Sequence, residues 1–108
     1  MGAIEDGFSG VVVERSKADK PLFPLGQCVM TCGIDTLCKT EGFNPLPYIT
    51  RHVSGDFGDL CEEDKQLNFD GITEEWRILS AYETAHGKIW IITEWDRSVT
   101  TVLLPDEY

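Results

Sequence analysis

The chain has 108 residues, enough for one domain with a single small core, and 42% of them are hydrophobic, with 3 Trp, 3 Tyr and 5 Phe. That content excludes a chain disordered throughout. The 19 Asp+Glu outnumber the 9 Lys+Arg, and the formal net charge of -10 opposes direct binding to nucleic acid or to an anionic membrane, both of which need surplus Lys and Arg.

The N-terminus carries Glu5 and Asp6 with no basic stretch ahead of an apolar one, so no signal peptide is expected and the protein is placed in the cytoplasm. Residues 1–20 read as a flexible arm. Glycines interrupt every period, Val11–Val13 is at most a short edge strand, and Glu14–Lys20 is a charged run. No apolar run, Ile89–Ile92 included, approaches the roughly 20 residues that span a bilayer. Pro21 and Pro24 mark the entry to a single domain over residues 21–108.

Leu25 to Thr31 reads as a strand. A helix follows over Ile34–Glu41, with Ile34, Leu37 and Cys38 as its apolar stripe and Gly42 as its stop. Asn44-Pro45 predicts a second helix, Asn as cap and Pro in the first turn, with Leu46, Ile49 and Val53 buried and an end at Gly55. After the turn-rich Gly55–Asp59, Asp59 is expected to cap a third helix from Leu60 to about Phe69, with Leu60 and Leu67 inward, and Cys61 a candidate inward neighbour. Glu62, Glu63 and Asp64 fall in its first turn, where the helix dipole favours acids. The period then becomes two. Trp76–Thr84 alternates, His86-Gly87 makes a hairpin turn, Lys88–Glu94 suits a central strand, and Val99–Leu104 forms the last strand before Pro105. The expected class is α+β: short helices, then an antiparallel three-stranded meander that the earlier strand joins.

Four cysteines, Cys28, Cys32, Cys38 and Cys61, lie at C-x3-C, C-x5-C and a gap of 22 residues. Structural zinc favours C-x2-C pairs. With His52 as a fourth ligand a zinc site can be drawn, but small thiols packed in or near the core are the simpler reading. Neither a metal nor a cofactor is expected.

Four constellations carry chemistry-bearing groups. His52, Asp56 and Asp59 suit a divalent metal or acid/base work, if His52 and Asp56 face one another four residues apart on a helix. The two aspartates also neighbour glycines, where Asp closes turns. Glu94, Asp96, Arg97, Ser98 and Thr100 crowd one turn, in which Arg97 is expected to pair with Glu94 or Asp96. Ser80 and Tyr82 share a strand face without any nucleophile elbow, so a core tyrosine with a bonded hydroxyl is expected. Finally, residues 56–75 hold eight acids and one base, a local net charge of -7. That cluster is either a solvated helix face or a surface for a basic partner protein. Its candidate contact residues are Asp56, Phe57, Asp59, Glu62, Glu63, Asp64, Asp70, Glu74, Glu75 and Trp76, with Phe57 and Trp76 as apolar anchors.

The residues Leu25-Gly26-Gln27, Arg51–Leu60 with Glu63-Asp64, Arg77–Tyr82, Ile89–Glu94 and Asp96–Pro105 resemble the small plasmid-related proteins of bacterial mobile elements, a family often labelled type I restriction endonuclease subunit M. The resemblance runs from Leu25 to Tyr108. A methylation subunit needs a much larger cofactor-binding domain with a glycine-rich loop, which this sequence lacks. The resemblance therefore implies a mobile-element accessory protein and not a methyltransferase. Family members carry other residues at positions 28 and 32, which weakens the zinc reading. Phe57 stands for the family's Trp, and Trp95 for a small residue. Two functions follow as expectations. One is a non-enzymatic, acidic protein-binding module that blocks a basic, nucleic-acid-binding component of host defence. The other is a small metal-dependent hydrolase using His52, Asp56, Asp59 and Glu94.

Overall fold

The computed structural model describes residues 21–108; the expectations for the arm and for Val11–Val13 lie outside them. The elements are β1 (Gln27–Met30), α1 (Cys32–Glu41), α2 (Leu46–Val53), α3 (Glu62–Glu74), β2 (Ile78–Thr84), β3 (Gly87–Thr93) and β4 (Val99–Leu103), closed by a 3-10 turn over Pro105–Glu107. The class is α+β, as the change of period from 3.6 to 2 implied. β2, β3 and β4 form the antiparallel meander, and β1 adds in parallel to β4, giving the order β1-β4-β3-β2. No helix among the described residues is long and apolar enough to cross a membrane.

Register sets which side chains share a face. Met30, Val102, Ile91 and Ser80 form one row across the sheet, and Cys28, Thr100, Thr93 and Ile78 the next. On the first row, Ile91 and Val102 join Ile34 of α1, Phe43, Tyr82 and Ile89 in a buried apolar cluster, edged by Tyr48 and Ile49 of α2. A second cluster joins Phe23, Val53, Phe57 and Ile78. The segment before β1 is tied down by Leu22 N–H, which donates to Val53 O at 2.8 Å.

The stop signal acts as expected and the start signal falls one residue off, α2 beginning at Leu46 with Pro45 at its N-cap position. Gly42 ends α1 at φ 69°, a conformation that costs glycine little. Asn44 Oδ1 accepts from Leu46 N–H at 3.1 Å at the head of α2. Other details differ. Leu46 points to solvent, and the buried end of α2 is His52 and Val53. α3 begins at Glu62, with Cys61 exposed at its N-cap position, and runs on to Glu74. Asp59 does not cap it. Its N–H donates to Ala81 O at 2.7 Å, and Ala81 N–H donates to Phe57 O at 3.1 Å, so residues 57–59 pair with the outer edge of β2. Gly58 makes this approach possible: it sits at φ 79°, and a Cβ there would overlap the Ala81 carbonyl. Leu67 faces outward, and Asn68 takes the inward position. The Asn68 amide donates to Leu79 O at 2.7 Å and accepts from Leu79 N–H at 3.2 Å. It therefore acts as one more strand residue along an edge that would otherwise be open.

The C-terminal turn also caps a helix. Thr31, at the N-cap of α1, makes no side-chain cap bond. The Glu107 carboxylate instead accepts from Gly33 N–H at 2.9 Å and from Thr31 Oγ1–H at 2.5 Å, and from Leu104 N–H at 3.0 Å. These donors hold its pKa below the ordinary value, the Thr31 hydroxyl most strongly.

Candidate functional site

α3 sets the acidic cluster on the surface. Its inward positions Lys65, Asn68, Gly71 and Ile72 follow helical spacing, which leaves Glu63, Leu67, Asp70 and Glu74 as an outer stripe. Glu62 pairs with Lys65 at 3.6 Å, an exposed contact of little energetic weight. Asp70 accepts from the Gln66 amide at 3.1 Å. Among the described residues Asp59, Glu63, Asp64, Glu74 and Glu75 are exposed and take part in no ion pair. Leu67 is 54% exposed in this setting and Trp76 48%.

Two candidate contact residues are placed otherwise. Phe57 is 1% exposed and packs edge-on against Phe69, ring centroids 5.1 Å apart. It is core and not an anchor; the half-exposed Phe69 occupies the surface above it. Asp56 is matched by a cation. Arg51 Nε reaches its Oδ2 at 2.7 Å and Gly58 N–H its Oδ1 at 3.2 Å, and the Arg51 hydrogen bond lowers its pKa. Arg51 also lies over the Tyr82 ring, 4.6 Å from its centroid.

His52 does not face Asp56, because α2 ends at Val53. The imidazole is fully buried, with Nδ1 at 2.6 Å from Ser80 Oγ and Nε2 at 2.9 Å from Thr93 Oγ1. Thr93 Oγ1 lies 2.7 Å from Thr100 Oγ1, which donates to Leu25 O at 2.7 Å. A proton count fixes the direction of this chain. Thr100 spends its proton on Leu25 O, so Thr93 donates to Thr100, and Nε2–H donates to Thr93. Nδ1 of the neutral ring is then the acceptor, and Ser80 donates to it. Burial lowers the His52 pKa to about 3, in keeping with a neutral ring. A hydroxyl donating to imidazole is the arrangement of an activated serine, but Ser80, His52, Thr93 and Thr100 all have 0% exposure. The chain joins α2, β2, β3, β4 and the segment before β1 through the interior. Tyr82 is the bonded core tyrosine expected; its hydroxyl donates to Asp56 O at 2.6 Å.

At the crowded turn Arg97 does not pair with a carboxylate. Its guanidinium donates to three backbone carbonyls: Trp76 O at 2.6 Å, Gly71 O at 2.8 Å and Glu94 O at 3.2 Å. Gly71 O and Glu94 O already accept from backbone N–H groups, so the planar cation adds a further donor to each and bridges them to the Trp76 carbonyl. The Glu94 carboxylate is held by Arg77 at 3.4 Å. Asp96 accepts from Ser98 N–H and Oγ–H at 3.1 and 2.6 Å. His52, Asp56, Asp59 and Glu94 thus serve different partners, and among the described residues no group of three or more His, Cys, Asp and Glu is arranged to hold a metal ion. The four cysteines are free thiols, but Cys28, Cys32 and Cys61 are exposed and not packed in the core as expected; only Cys38 is half-buried, resting against the Met30 sulfur at 3.8 Å.

Sequence reasoning missed Thr93 and Thr100 as partners of His52, and Asn68 and Glu107 as caps. The visible signal for the threonines was hydroxyls in two largely apolar strands, Thr93 in β3 and Thr100 and Thr101 in β4, placed where antiparallel register can set two of them opposite. No protein-family model, curated protein or solved structure matches the chain.

Proposed function

We propose that this protein is a non-enzymatic binding module whose α3 face docks on a basic surface of a partner protein. The observation that carries this reading is the outer side of α3. Carboxylates that take part in no ion pair among the described residues flank an exposed Leu67, and the helix is held in place by Asn68 and Arg97 from its inner side. A patch of one sign speeds encounter with an oppositely charged surface, and an apolar side chain within it supplies contact area. The resemblance to mobile-element accessory proteins suggests the partner's class: a nucleic-acid-binding component of host defence, whose basic groove the carboxylates would occupy in place of phosphates.

The test is affinity purification from the native host with the full chain, then equilibrium binding of each purified candidate across a salt series. The triple charge reversal Glu62→Lys, Glu63→Lys, Asp64→Lys is expected to weaken binding at least about tenfold and to flatten its salt dependence. Binding that ignores both salt and this reversal overturns the proposal.

A further inference from the structure

Two of the three tryptophans are exposed at one corner of the sheet. The last paired rung of the β2–β3 hairpin is Ile78↔Thr93. Continuing the antiparallel register sets Arg77 opposite Glu94, and their side chains meet at 3.4 Å. Their neighbours in the chain are Trp76 and Trp95, the latter in the turn that Arg97 N–H closes on Glu94 O, and the two are 48% and 62% exposed. The third indole, Trp90, rests against Tyr108, centroids 5.6 Å apart.

The backbone beneath the exposed pair is held firmly. Trp76 N–H donates to Gly71 O at 3.0 Å, Trp76 O accepts from Arg97 Nη1 at 2.6 Å, and Arg97 N–H donates to Glu94 O at 2.9 Å. The rings are therefore carried by ordered main chain while much of their surface meets water, the state of an anchor organised before binding. Next to them in the chain stand Glu74, Glu75 and Asp96, all exposed. The two cations of the corner are already engaged, Arg77 with Glu94 and with the Tyr108 hydroxyl, and Arg97 with three carbonyls.

We infer that Trp76 and Trp95 form an anchor for an arginine side chain on the basic partner, with Glu74 and Glu75 completing its recognition. The inference rests on the proposed acidic docking face and names the chemistry that face selects. A guanidinium is planar and weakly hydrated, so it stacks on indole while its edge forks to a carboxylate; an ammonium keeps its water and does neither as well. Charge decides the occupant: exposed indoles bordered by carboxylates attract a cation and disfavour an anionic or purely apolar segment.

The experiment is calorimetric titration of the full chain with an arginine homopeptide and a lysine homopeptide of equal length, at low and at moderate salt. The arginine peptide is expected to bind about tenfold more tightly. Trp95→Leu and Trp76→Leu, each checked by circular dichroism for an intact fold, should remove that preference and leave lysine-peptide binding unchanged. Trp95 carries the decisive variant because its ring is the more exposed. Equal affinity for the two peptides, or a preference that survives Trp95→Leu, overturns the anchor. The charge reversal at Glu62, Glu63 and Asp64 separates the two claims. If it weakens both peptides while the tryptophan variants change nothing, the acidic face stands and the anchor falls. If neither peptide binds at low salt, the acidic face falls as well.

Discussion

His52 shows how one buried residue sets a condition on the whole molecule. Its ring is neutral because each nitrogen already has a hydroxyl partner and no water reaches it. The folded pKa of about 3 lies below the unfolded value of about 6.5, so as pH falls the unfolded chain takes up the proton first. The stability that the neutral ring contributes is complete above pH 6.5 and is lost as pH falls toward 3. Urea denaturation should show stability declining by about 1.4 kcal/mol per pH unit below pH 6. Asp56, Asp96 and Glu107 have lowered pKa values too, but they lose stability only in the carboxylate range, so the decline between pH 6 and 5 belongs to His52. His52→Gln should remove it; an unchanged slope in that variant contradicts the assignment. The hydroxyl relay gives a second expectation. Thr93→Val leaves buried donors and acceptors unmatched and should cost about 1–3 kcal/mol. Combined with Thr100→Val it should cost less than the sum of the single losses, because the two hydroxyls serve one chain.

At the scale of elements, α3 depends on polar groups more than on apolar ones. Asn68 binds both backbone groups of Leu79 and so covers the β2 edge. Asn68→Leu exchanges a polar side chain for an apolar one of similar size, yet it should destabilise by about 1–3 kcal/mol and promote association through the opened edge; chemical denaturation and light scattering read the two effects. Glu107→Ala should loosen the first turn of α1, visible as faster amide exchange in α1. These features mark where the sequence stops being readable. Element order, the stop at Gly42 and the start at Asn44 are local, decided by residues within a turn of one another. The roles of Asn68 and Glu107 are settled by Leu79 and by Thr31 and Gly33, far along the chain or across the sheet. Phe57 illustrates the same limit for the site. Its glycine-rich, acidic neighbours imply a surface loop, but the pairing of residues 57–59 with Ala81 turns its ring inward. The acidic residues of α3 were legible because a helix this short cannot bury five carboxylates.

For the whole molecule, the net charge of -10 is unevenly placed. Asp35, Asp56, Glu62, Glu83 and Glu94 lie in ion pairs with Lys or Arg, while much of the helix surface is left unbalanced. Self-repulsion along α3 should therefore be relieved by salt. Thermal stability is expected to rise as moderate salt is added, and Glu63→Gln with Glu74→Gln should reduce that rise, as differential scanning calorimetry would show. The mixed sheet has a consequence for assembly of the fold. β1, the first strand of the described chain, pairs with β4, the last, and the cap on α1 comes from Glu107. β1 and α1 therefore wait for partners made more than 70 residues later in the chain. The entropy of closing so long a loop must be met before those contacts can repay it, which favours slow, all-or-none folding. On the ribosome β1 and α1 would emerge unpartnered and pair only once β4 and Glu107 have been made, so a chain stalled before β4 should be cleared by proteases rather than persist as a partial domain.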